Sequence, residues 1–176
     1  MTTINPCGCN GPTPSNTIDG TCGDDYVHIS KAPGLLGALG LYEVNVNGHT
    51  QLMTKQELEN TQFNLGDGND TLVVDSNVTA DIHANGGKGN DVMIGGDGDD
   101  HFNGGKGCDI IAGRGGNDCL EGGKGDDWLF GGKGKDHLDG GKGRDYLDGG
   151  PGHDTNHGGP GLDYVKFDWA DLFGWP

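Results

Sequence analysis

Residues 86–166 divide without a gap into nine units of nine residues, and no other feature limits the fold of this chain so strongly. The units are GGKGNDVMI, GGDGDDHFN, GGKGCDIIA, GRGGNDCLE, GGKGDDWLF, GGKGKDHLD, GGKGRDYLD, GGPGHDTNH and GGPGLDYVK. The sixth position is Asp in every one: Asp91, Asp100, Asp109, Asp118, Asp127, Asp136, Asp145, Asp154 and Asp163. The eighth is Met93, Phe102, Ile111, Leu120, Leu129, Leu138, Leu147, Asn156 and Val165, apolar in all but one unit. A Gly- and Asp-rich acidic stretch without such a period reads as a disordered linker. With it, each unit carries an apolar side chain that it cannot bury alone, so the units must stack.

The first six residues of a unit have the composition of a turn, with Gly where the backbone needs positive φ or where two segments pass closely. The last three read as a short strand. Side chains alternate across a strand, so position eight points inward and positions seven and nine point out.

The pattern G-G-x-G-x-D-x-U-x, with U a large apolar residue, resembles the repeats-in-toxin (RTX) family, the hemolysin-type calcium-binding repeat. The resemblance implies an all-β fold, a right-handed parallel β-roll or β-helix solenoid of nonapeptide repeats in which two units make one coil. Nine units then give about four and a half coils, ~22 Å of solenoid at roughly 4.8 Å per stacked strand. It also implies Ca²⁺, a hard cation that takes six to eight oxygen ligands in flexible geometry, whereas Mg²⁺ demands a tighter octahedron. The candidate ligands are the nine Asp above, Asp70 of an earlier unit, and the backbone at Gly86, Gly95, Gly104, Gly122, Gly131 and Gly140. Pairing each turn with the one two units later implies about seven ions. Their roughly +14 charge nearly offsets the formal charge of -16, and folding should be coupled to binding.

Composition supports a thin core. Gly makes up 38 of 176 residues and apolar residues only 31%, which argues against a conventional layered domain. The acidic balance argues against nucleic acid and anionic membrane surfaces as partners. No run approaches the ~18 apolar residues that span a bilayer. The N-terminus lacks a basic region followed by an apolar run, so a cleaved signal peptide is not expected. The resemblance implies a secreted bacterial protein, exported through an uncleaved C-terminal signal, although the tail shows no clear one.

Outside the array, residues 1–19 read as an irregular leader containing Pro6, Pro12, Pro14 and Cys7-x-Cys9. No second ligand pair accompanies these cysteines, so surface thiols or one local disulfide are preferred over zinc. Residues 20–85 read as an N-terminal cap. Within it, residues 20–28 are a degenerate unit with Asp25 at position six and no stacking partner adjacent in sequence. The apolar run at residues 34–41 is expected to cover the open end of the solenoid, with a membrane-touching role as the alternative. A β-hairpin is predicted at Asn47-Gly48, followed by a short helix at 55–60 behind the Thr54/Glu57 capping box, with Met53 and Leu58 as a hydrophobic staple. Residues 65–73 form another unit, and in the Gly-poor coil that follows Val78, Ile82 and Ala84 are expected to face inward. Residues 167–176, with Phe167, Trp169, Leu172, Phe173 and Trp175, read as an aromatic C-terminal cap, an exposed partner patch being the alternative.

Two units depart from the pattern: Arg114 replaces a Gly at position two, a turn expected to bind Ca²⁺ less well, and Asn156 replaces the core residue. No H-E-x-x-H, G-x-S-x-G or Walker loop is present, and an enzyme is not expected. The expected function is a protein that folds on binding several Ca²⁺ outside the cell. The alternatives are a binding module for acidic polysaccharide, displaying Lys88, Lys106, Lys124, Lys133, Lys142, Arg144, Trp128 and Tyr146, an accessory module of a secreted enzyme, and a structural role through sheet edges with a partner protein.

Overall fold

The apolar residue at position eight organises the molecule into two columns that face each other across a narrow core. The computed structural model describes residues 15–166. One column runs Ile18, Phe63, Ala84, Phe102, Leu120, Leu138 and Asn156, each paired with the next across neighbouring strands. The other runs Val27, Leu72, Met93, Ile111, Leu129, Leu147 and Val165. Most of these side chains are fully buried and join one continuous cluster.

Each column lies on one parallel sheet. The first sheet stacks β1 (Asn16–Asp19), β5 (Thr61–Asp67), β7 (His83–Lys88), β9 (His101–Lys106), β11 (Cys119–Lys124), β13 (His137–Lys142) and β15 (Thr155–His157). The second stacks β2 (Tyr26–Lys31), β6 (Thr71–Val74), β8 (Val92–Ile94), β10 (Ile110–Gly115), β12 (Trp128–Lys133), β14 (Tyr146–Asp148) and β16 (Tyr164–Lys166). The chain passes from one sheet to the other at every unit, and the molecule is a parallel β-solenoid of about six turns. Strands this short hold their place only through the ladder above and below.

Glycine is required where coils touch. Gly125 sits at φ 134, and a Cβ there would run into the carbonyl oxygen of Gly107 in the preceding coil. An L-residue has neither the conformation nor the space.

Residues 32–60 are inserted between the first two rungs and cover the N-terminal edge of the second sheet. They comprise α1 (Gly34–Ala38), β3 (Leu41–Val46), β4 (His49–Thr54) and α2 (Lys55–Glu59). β3 pairs antiparallel with β2, which turns a parallel edge into a hairpin. Asn47 and Gly48 sit at φ 52 and 84, the positive values that a type I′ turn needs. At α2 the Thr54 side chain accepts the Glu57 N–H at 3.2 Å, and the Glu57 carboxylate accepts the Thr54 N–H at 2.8 Å. This capping box anchors Leu58 in the core.

Four sequence expectations change. Residues 16–19 are strand β1 and not irregular leader, because they pair with β5. The unit at 20–28 does stack, on residues 65–73; the Asp25 N–H donates to Asp70 Oδ1 at 2.7 Å across the insertion. Residues 20–31 and 61–85 are therefore rungs of the same solenoid, and only 32–60 form the cover. The apolar run does not close the core: Leu35 and Leu39 in and beside α1 are 75% and 69% exposed. Position seven also turns out less exposed on the first sheet than alternation implies. His83 and Cys119 are buried there, because side chains stacked in register shield one another; the His83 and His101 rings lie 5.0 Å apart. Cys7, Cys9 and the aromatic tail lie outside the described residues.

Candidate metal centre

The turns between the sheets stack into two columns, and the Asp at position six forms a hydrogen-bonded ladder down each. In the first column, leading from the first sheet to the second, the N–H of Asp70 donates to Asp91 Oδ1 at 2.8 Å. Asp91 donates to Asp109, Asp109 to Asp127, Asp127 to Asp145 and Asp145 to Asp163, at 2.8 to 3.1 Å. In the second column Ile82 occupies the place of the first Asp and donates to Asp100 Oδ1 at 2.9 Å. Asp100, Asp118 and Asp136 continue to Asp118, Asp136 and Asp154. The Gly-poor turn feeding this column buries Val78, Ala80 and Ile82 instead of a carboxylate.

The ladder satisfies one oxygen of each carboxylate. The other, Oδ2, is buried and accepts no hydrogen bond in Asp70, Asp91, Asp109, Asp118, Asp127, Asp136 and Asp145. A buried polar atom left this way costs about 1–3 kcal/mol, and more when charged. Repetition of the same cost down both columns points to a partner supplied from outside the chain. The glycine at position one makes the space for it. A Cβ on Gly122 would lie 2.5 Å from Asp127 Oδ2 and 2.7 Å from the carbonyl oxygen of Gly140 in the next turn. Gly86, Gly104, Gly131 and Gly140 stand in the same relation to Asp91, Asp109, Asp136 and Asp145. Carboxylate oxygen and backbone carbonyl oxygen thus converge at each turn. That donor set is all hard oxygen and suits Ca²⁺. Among the described residues no three or more His, Cys, Asp or Glu side chains gather at one point, so carbonyl oxygens must complete any coordination shell.

Burial makes these carboxyl groups hold their protons. It pushes Asp91 and Asp136 up to about 6, Asp127 to about 7, Asp100 to about 8 and Asp118 to about 9. Neighbouring like charges add to the effect, and the ladder hydrogen bonds oppose it without cancelling it. Asp70, Asp109 and Asp145 are raised for the same leading reason. A divalent cation would remove the cost by favouring the ionised form.

Two candidate positions differ from the rest. Asp100 has both oxygens in use, since Oδ2 accepts the Gly96 N–H at 2.9 Å. The Gly95 carbonyl is also taken: Arg114 Nη1 donates to it at 3.1 Å and to the Val74 carbonyl at 2.8 Å. At the top of the first column Asp25 is closed by protein donors, the Thr21 N–H and hydroxyl and the Asn47 amide. Burial raises its proton affinity, but these donors outweigh it and leave the group below the ordinary value. Asp163 and Asp154, in the last turns, are only half-buried. The N-terminal closures by Arg114 and Asn47 escape sequence reasoning, because the contacts join residues 40 and 22 positions apart.

Residues 83–165 match the family model described as RTX calcium-binding nonapeptide repeat (4 copies), in overlapping segments 83–111, 102–129, 109–138, 121–156 and 130–165. Searches of curated proteins and of solved structures found no match.

Proposed function

The array at residues 83–165 belongs to the RTX calcium-binding nonapeptide-repeat family, and from that premise we propose that this protein is a calcium-responsive folding module of a secreted bacterial protein, binding and not catalytic in role. The observation that carries the reading is the row of buried, unpaired Asp Oδ2 atoms set against backbone carbonyls. Asp70, Asp91, Asp109, Asp118, Asp127, Asp136 and Asp145 are the proposed carboxylate ligands. Gly86, Gly104, Gly122, Gly131 and Gly140 contribute position-one carbonyls, and Asp154 and Asp163 complete the C-terminal turns. Bound Ca²⁺ supplies positive charge that the turns otherwise lack. The chain supplies the rest: the ladder fixes each carboxylate, and the absent Cβ leaves room beside it. Extracellular modules commonly bind with dissociation constants of about 10⁻⁴–10⁻³ M, above cytosolic free calcium, so the chain stays unfolded until it is exported. No described helix is long and apolar enough to cross a membrane.

Far-ultraviolet circular dichroism at neutral pH tests the reading. In chelator the spectrum is expected to be largely disordered, to remain so with Mg²⁺, and to convert cooperatively to β structure as Ca²⁺ is added. A β spectrum in chelator that Ca²⁺ leaves unchanged overturns coupled folding.

Two rows of side chains favour a second reading, a binding module for acidic polysaccharide. Trp128, Tyr146 and Tyr164 stack at position seven of alternate units, with centroids 5.4 and 5.2 Å apart. Trp128 and Tyr164 are exposed. Lys106, Lys124 and Lys142 stand in register on neighbouring strands and make no salt bridge among the described residues. The aromatic stack belongs to the second sheet and the lysine row to the ends of first-sheet strands; aromatic faces suit sugar rings, and cations suit the carboxylates they bear. Titration of the calcium-loaded Trp169→Phe/Trp175→Phe protein, whose remaining tryptophan is Trp128, with an acidic polysaccharide should then quench its fluorescence, and a neutral polysaccharide should not. Equal indifference to both leaves the lysines as charges that temper an acidic surface.

A further inference from the structure

We propose that Arg114 is a tethered cation that takes the place of the first Ca²⁺ in the second column of turns, an assignment that rests on the calcium reading above. Three observations place it there. Val73 pairs with Ile94, so Val74 and Gly95 are the successive first-position residues of the top two turns in that column. The Arg114 guanidinium donates to both of their carbonyl oxygens through Nη1. In the first column the corresponding carbonyls, such as that of Gly104, face an unpaired carboxylate oxygen, here Asp91 Oδ2. In the turn that Arg114 serves, Asp100 has no unpaired oxygen.

The surrounding sequence fits this assignment. The turn above offers Ile82 where the ladder carboxylate would stand, so a metal between these turns would have one ladder carboxylate, Asp100, instead of two. A guanidinium suits carbonyl oxygens better than a bare site would, because it brings N–H donors and a charge that cannot be lost. The backbone is bent to hold it. Arg114 sits at φ 79, a left-handed conformation that most of its counterparts at position two, Gly105, Gly123 and Gly132 among them, meet with Gly. A side chain stands where the backbone favours none, and although the residue is largely exposed its guanidinium is held by two partly buried hydrogen bonds; both facts assign it a positional role.

The consequence is directional. With Arg114 closing the second column and Thr21 and Asn47 closing the first at Asp25, the N-terminal coils need no metal at these places. The coils that follow do. Arg114 therefore lowers the calcium stoichiometry of the array by one.

Arg114→Gly tests this in the full chain, with bound Ca²⁺ counted by equilibrium dialysis and calorimetry at saturation. The variant restores the repeat's own residue, so its calcium-loaded fold is expected to survive, as circular dichroism will verify. One additional Ca²⁺ per chain relative to the wild type supports the assignment. An unchanged count, in a wild type that itself binds Ca²⁺, overturns it while leaving the calcium reading intact. A wild type that binds none overturns both. Lys133→Ala, which removes an exposed cation from the same column, is expected to leave the count unchanged. A rise there equal to that of Arg114→Gly makes the effect one of net charge and sinks the assignment.

Discussion

Stripped of calcium, the chain is expected to be disordered at pH 8 and to gain β structure on acidification to about pH 4, near the ordinary carboxyl value. The sign follows from the direction of the shifts. Asp91, Asp136, Asp127, Asp100 and Asp118 have folded-state values raised to about 6, 6, 7, 8 and 9. The metal-free fold binds more protons than the unfolded chain wherever the pH lies between about 4 and those values, so its stability falls as pH rises. These groups favour the fold fully below the unfolded carboxyl value, and the contribution is lost in steps as pH climbs through 6 to 9. His83 works the other way, because burial and its neighbour His101 hold it down at about 4 and it resists being charged in acid. Burial lowers His101 as well, but two histidines shifted down do not outweigh five carboxyls shifted up. Asp126 and Glu57 are lowered, but they lie at the surface, where screening leaves little effect, and the buried Asp25, also lowered, is one group against five. Saturating Ca²⁺ should reverse the dependence, since the metal binds deprotonated carboxylates and is displaced by protons. Circular dichroism across pH 3–9, in metal-free buffer and in Ca²⁺, reads both curves. A metal-free chain most ordered at pH 8 contradicts the burial of these carboxyls.

The array was legible because its signal is local. Nine residues contain the turn, its acidic side chain and the core side chain, so Asp91 to Asp163 and the apolar column from Met93 to Leu147 could be placed from sequence. The units before the array were half legible. Gly20 to Asp25 has the composition of a turn, but its partner Asp70 lies 45 positions away, beyond an insertion that hides the period. Stacking across an insertion depends on where the chain returns, and no local pattern encodes that. The leucines of residues 34–41 misled for a related reason. Apolar composition predicts burial somewhere, yet α1 packs beside β3 at the edge and leaves Leu35 and Leu39 in solvent. Arg114 was visible as an exception to the repeat, but only the folded coil brings Val74 and Gly95 within reach of its guanidinium. The pairing of Asn156 with Leu138 was likewise readable as a break in the column, and its buried Oδ1 indeed accepts no hydrogen bond.

Asp127→Asn is expected to move the two states of the protein in opposite directions. Asp127 is fully buried in the middle of the first column. Its Oδ1 accepts the Asp109 N–H at 2.8 Å, and its own N–H donates to Asp145 Oδ1 at 2.9 Å. Asn keeps both ladder bonds, so the coil geometry survives. What changes is Oδ2, the unpaired atom, which becomes an NH₂ group that cannot ligate a cation. The calcium-loaded fold should lose at least one ion per chain, and its calcium midpoint should rise about tenfold or more, equivalent to roughly 1.4 kcal/mol. The metal-free fold should gain. With the carboxyl raised to about 7, ionising it at higher pH costs on the order of 4 kcal/mol. A buried amide without a partner costs about 1–3 kcal/mol, and less here because the Gly140 carbonyl stands close by. The difference favours Asn, so the pH at which the metal-free chain orders should shift upward. A purely structural role for Asp127 predicts destabilisation in both conditions, because a disturbed ladder weakens the coil whether or not metal is bound. Opposite shifts in the calcium midpoint and in the metal-free pH midpoint identify the carboxylate as a ligand. Parallel losses remove Asp127 from the site.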